Sequence, residues 1–150
     1  MEAEPTKVTS DPQKDLINII SYPAITLPST YHNVIIARWL RSLRHLNDYF
    51  RLIDQKPYFE HYEKYIKNIL TRPNAFIKLA VLADDQDVVF GWSVNEKTTL
   101  HYVHVQELYR SKGISTLLIP KETTSCSHIT KHWLEIWPKK YQKVTFNPFI

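Results

Sequence analysis

Glycine is nearly missing from this chain: Gly91 and Gly113 are the two in 150 residues. That scarcity excludes the glycine-rich phosphate loops, since neither Gly-x-x-x-x-Gly-Lys-Ser/Thr nor a three-glycine dinucleotide fingerprint occurs. Cysteine is rarer still. With Cys126 alone, an internal disulfide framework and a multi-cysteine zinc site are both excluded. No run of five or six basic residues marks a nucleic-acid arm. No apolar stretch nears the roughly 18 residues of a membrane span, and no signal-peptide pattern, internal repeat or low-complexity segment is found. A cytoplasmic protein is the expectation.

What is present is a core-forming composition: 43% hydrophobic, 13% aromatic and 23% charged, which argues against disorder. A chain of 150 residues suits one domain, 1–150, with a polar, two-proline lead-in at 1–13 expected to be loosely ordered. Four Trp and nine Tyr are enough to line a groove as well as fill a core. The formal charge of +4 leans toward an anionic or phosphorylated partner.

The spacing of apolar residues predicts a strand at 16–24, then a loop at 26–33 with Ser29, Thr30 and Asn33 as N-cap candidates. A helix is expected over 33–53, with Ile35, Trp39, Leu43 and Leu46 as its apolar stripe and Arg38, Arg41 and Arg44 on the wetter side. A second helix, 57–72, starts at Pro57 and stops before Pro73, burying Tyr58, Tyr62, Ile66 and Leu70. Strands at 75–83, 88–94 and 99–105, joined by the turns 84–87 and 95–98, read as a meander. Residues 127–137 read as a strand passing into a helix ended by Pro138, and 143–150 is strand-forming up to Pro148. The fold class is α+β: a single domain with a central, mostly antiparallel twisted sheet flanked by helices.

The stretch VQELYRSKGIS (105–115) carries the chemistry. A strand ends at Val105, a basic turn holds Arg110 and Lys112, and Gly113 opens a helix whose first N–H groups have no partner within it. Gly113 also lets a bulky anion approach the backbone, because no Cβ intervenes. The physical reading is a pyrophosphate cradle after a strand; the alternative is a glycine turn with two solvated basic side chains.

These residues resemble the acyl-CoA-binding signature of the GNAT superfamily of N-acyltransferases, Arg/Gln-x-x-Gly-x-Gly/Ala, here Arg110, Gly113 and Ser115 after a strand ending in Val105. The order of strand, two helices and three-stranded meander is similar too, over roughly 16–137. Ser115 replaces the second small residue, Glu107 stands where many members have Pro, and Pro120 should cut the following helix to a turn or two. IIARWLRSLRH (35–45) is similar to small phage-encoded members.

The resemblance implies an N-acyltransferase moving an acetyl group from acetyl-CoA to an amine, within a GNAT-like domain. It implies a pyrophosphate on the backbone of Arg110, Ser111, Lys112, Gly113, Ile114, Ser115 and Thr116. The pantetheine arm would lie along the strand at Val103 and Val105, with the thioester where that strand and a following one splay apart. On the same ground a base is expected on this strand, which makes His101 and His104 the candidates, with Glu96 behind them and Tyr141 as acid for the leaving thiol. Strand alternation predicts that His101 and His104 point to opposite faces. For each of these side chains, ordinary packing is the competing reading. His128 and His132 would share a face if 127–137 were wholly helical, yet no metal-ligand set is expected. Arg38, Arg41 and Arg44, with Arg51, could instead hold a nucleic-acid backbone, making a base or base-linked amine the acceptor. A catalytically silent module working through protein contacts is a third reading.

Overall fold

The computed structural model describes residues 16–150. Its centre is one six-stranded sheet in sequence order. Strands β1 (Ile17–Pro23), β2 (Ala75–Leu82), β3 (Asp85–Glu96) and β4 (Thr99–Val105) pair antiparallel, and the short β5 (Ser125–Cys126) and β6 (Thr145–Phe146) continue it in parallel. Between β1 and β2 lie α1 (Ser29–His45), the single turn α2 (Asp48–Arg51) and α3 (Gln55–Leu70). After β4 come α4 (Ile114–Leu118) and, between β5 and β6, α5 (Lys131–Lys140).

The helix expected over 33–53 is two helices. It begins earlier, after Pro28, with no side-chain cap from Ser29, Thr30 or Asn33. It ends at His45, because Asn47 accepts a hydrogen bond from the Tyr49 N–H and starts a new turn. The apolar stripe still settles which face is buried: Ile35, Trp39 and Leu43 are inaccessible, while Leu46, just past the helix, is half-buried. α3 buries Tyr58, Ile66 and Leu70 as its period requires. α5 runs through position 138 to Lys140 rather than ending there; a proline in the last turn forfeits one bond, and the Tyr141 N–H still closes on the Trp137 carbonyl.

Three apolar clusters hold the layers. The largest packs α1 and α3 on β2–β4, with Trp39 stacked on Tyr102 at 5.1 Å between ring centroids. On the opposite face Ile114 and Leu118 of α4 cover Ala80 and Phe90. The third joins Leu100, Ile119, Cys126, Trp133 and Val144 under α5.

Both glycines serve the corner where β4 leaves the sheet. Gly91 pairs with Val105, and a Cβ there would stand 2.6 Å from the His104 carbonyl and 3.2 Å from Leu118. Gly113 has φ 81°, a left-handed conformation that side chains resist. The two positions fix how closely the strand and the following loop approach.

Candidate active site

β4 and β5 pair at two positions only, Thr99 with Ser125 and Leu100 with Cys126. Beyond Leu100 the strands diverge, and a cleft of about 270 Å³ opens along β4. Val103 and Val105 line it, as does every residue expected of the loop from Arg110 to Thr116 except Lys112. Thr130, Trp133 and Lys140 of the α5 region form the far wall. Sequence reasoning missed that wall, although Thr130 before KHWLEIW is a legible helix cap and accepts from the Trp133 N–H.

The loop is held in a shape that exposes its backbone. Ser111 has φ 65°, a left-handed conformation unusual for a side-chain-bearing residue, and Gly113 follows in the same region. The Arg110 Nε–H donates to the Val105 carbonyl at 2.9 Å, tying the guanidinium to the end of β4. Tyr109 packs edge-on against Phe90 at 4.6 Å. α4 is a single turn of five residues, as Pro120 requires, so the helix dipole adds little; loop N–H groups and cations carry the positive field.

The histidines part company. Opposite Val94 lies Tyr102, and opposite Asn95 lies Leu100, which makes His101 the extra residue of a β-bulge. The bulge cancels the expected alternation: His101 and Tyr102 both turn toward α1 and α3, and His101 ends on the same side as His104. His101 is 1% exposed. Its Nδ1 meets Ser127 Oγ at 2.7 Å and its Nε2 meets Glu96 Oε1 at 3.0 Å. Ser127 in turn meets His128 Nδ1 at 2.8 Å, and Arg72 pairs with Glu96 at 2.9 Å. Burial lowers the His101 pKa despite the attraction of Glu96. Burial alone would raise Glu96, but the bonds from His101 and Arg72 outweigh it and hold the carboxyl low. Both ring nitrogens of His101 are engaged, and it is not among the residues lining the cleft.

His104 does reach it. It lies on the Trp92 ring at 5.6 Å, and burial, Arg110 and Arg38 together push its pKa down to about 4. At neutral pH its imidazole is therefore uncharged and able to accept a proton. Tyr141 stacks on Trp133 at 5.0 Å within the cluster under α5 and is not on the cleft wall, which corrects its expected place beside the leaving thiol. Tyr102 also borders the cleft, but its ring stacks on Trp39 and its hydroxyl is bonded to Ser42 Oγ of α1 at 2.9 Å. His128 precedes α5 rather than lying on it, so no i, i+4 pair with position 132 forms.

The arginines of α1 also divide. Arg38 and Arg41 face a second cleft beside His104, whereas Arg44 donates to the Ile53 carbonyl and covers the Tyr58 ring.

This arrangement of strands and helices, taken as a whole, is found in a solved structure. A Pyrococcus furiosus protein that carries a provisional acetyl transferase name superposes over 89% of this chain and 83% of its own, with a TM-score of 0.57 at 14% identity. The chain has the GNAT fold. A ribosomal-protein-alanine N-acetyltransferase from Brucella melitensis (13% identity, 87% and 79% covered, TM-score 0.41) and an aminoglycoside acetyltransferase from an uncultured soil sample (14%, 89% and 78%, 0.42) are more distant and add nothing to it. No family model and no curated protein matches the sequence. Among the described residues no helix is long and apolar enough to cross a membrane.

Proposed function

We propose that the protein is an N-acetyltransferase that takes its acetyl group from acetyl-CoA and passes it to an amine. The observation that carries this reading is the cleft between β4 and α5, which runs without interruption from the splay to the loop at 110–116. An extended pantetheine arm can add to the bare edge of β4 as a further strand would, while Arg110, Lys140 and the exposed N–H groups of the loop receive the pyrophosphate.

Acetyl-CoA brings the acyl group as a thioester. The chain's own contribution is placement and proton transfer. As the amine nitrogen bonds to the acyl carbon and the carbon–sulfur bond breaks, His104 takes the amine proton and passes it on to the leaving sulfur.

Calorimetry with acetyl-CoA tests the binding half. Micromolar affinity for the intact chain, weakened at least tenfold by Arg110→Ala, is expected. Release of free CoA thiol in the presence of an amine panel tests the chemical half, with His104→Ala lowering kcat about 10²-fold or more. If acetyl-CoA neither binds nor raises the melting temperature, the reading is wrong.

A further inference from the structure

The second cleft, about 720 Å³, lies between α1 and the C-terminal end of β4. Its α1 wall is Arg38, Arg41 and His45, spaced i, i+3 and i+7 so that they share one helical face. Arg110 stands across from them, and Glu107 is the one carboxylate among the lining residues. No ion pair among the described residues uses Arg38, Arg41 or Arg110. Three guanidinium groups around one concave space repel each other, and an anion in that space turns the repulsion into charge-assisted hydrogen bonds. The cleft meets the acyl-binding one at Leu46, His104 and Arg110, which line both.

We propose that this cleft is the anion subsite for the acceptor, taking the phosphate group of a small phosphate-bearing amine and setting that amine beside His104. The proposal rests on the acetyl-transfer reading and names the substrate class within it. Anchoring a remote phosphate fixes the orientation of a short amine that offers little else to hold. A second effect follows from the charges facing His104, which are Arg38, Arg41 and His45 from α1 and Arg110 and Glu107 from the loop, with the Trp92 ring beneath it. Arg110 and Arg38 are the charges that hold His104 unprotonated. An anion seated between them cancels part of their field, so the imidazole becomes a stronger base when the acceptor is bound.

The test is titration of the intact chain with inorganic phosphate, by calorimetry, alone and after saturation with CoA. Phosphate should bind in both cases, at least tenfold more weakly in the Arg38→Gln/Arg41→Gln variant, with CoA affinity changed less than twofold. Arg41→Gln alone, at an exposed position, gives the same direction with a smaller loss should the double variant fold poorly. The His104 titration, followed by NMR, should move upward by half a pH unit or more with phosphate present. If CoA fails to bind while phosphate still does, the acetyl-transfer reading falls and the anion site stands. Competition of phosphate with CoA but not with dephospho-CoA would assign the cleft to the 3′-phosphate of CoA and overturn the proposal. Loss of duplex-DNA binding in the double variant, with no phosphate binding in either protein, would overturn it in favour of a nucleic-acid surface.

Discussion

From β1 to β4 each strand pair is matched over six to eight positions; from β4 to β6 each pairing lasts two. The first half is clamped by α1 and α3 on one face and α4 on the other. The second is held chiefly by one cluster under α5, centred on Trp133 and Val144. The site sits on the seam. Its loop and strand are anchored in the rigid half, and its far wall comes from the lightly attached half. A cleft needs both: a fixed edge for binding and a wall that the ligand can help to seat.

The largest test of this contrast is a pair of tryptophan truncations. Trp39→Ala empties the centre of the main core and should cost roughly 3–5 kcal/mol, lowering the melting temperature of the whole domain. Trp133→Ala should instead speed hydrogen exchange over 125–146 while β2 and β3 keep their protection; uniform loss of protection would erase the distinction. Next comes the corner. Gly91→Ala forces β3 and β4 apart at the His104 carbonyl and should cost about 1–3 kcal/mol, with weakened acetyl-CoA binding, in urea melts and calorimetry. Gly113→Ala meets φ 81° and should cost about 1–2 kcal/mol, with most of its effect on CoA affinity rather than on folding.

Acidification gives a smaller, graded effect. His104 and His128 are both pushed to about 4, His104 by burial, Arg110 and Arg38, and His128 by burial and His101. Because the folded forms resist a proton that the unfolded chain accepts near 6.5, stability is full above that pH and falls steadily toward 4. Melting temperatures between pH 7 and 4.5 should show the slope, and His128→Gln should flatten it. Least of all, Glu63→Gln removes an exposed pair with Lys67 and should shift stability by no more than ~0.5 kcal/mol in urea melts.

The rigid half was also the more legible in the sequence. Period-two and period-3.6 patterns placed β1, α3 and the meander to within a few residues, because their burial is regular and local. The short connections were harder to read. That α1 stops at His45 depends on Asn47 capping a separate turn, a competition between local hydrogen bonds that hydrophobic spacing does not record. The loop residues of the cleft were identified by Arg110 and Gly113, whereas Leu46, Thr130 and Trp133 come together only through tertiary packing. The expectation that His101 and His104 face opposite ways failed for one reason: a bulge of a single residue turns His101 to the other face, and alternation cannot foresee an insertion.

The splay also bears on how the molecule keeps to itself. An unpaired strand edge is ordinarily an invitation to another chain, and proteins blunt such edges with charge, proline or cover. Here the bare length of β4 lies inside the sheet, roofed by α5 and the segment leading into it. The edge left open for a ligand is thus covered in the same way as proteins cover edges they must not expose.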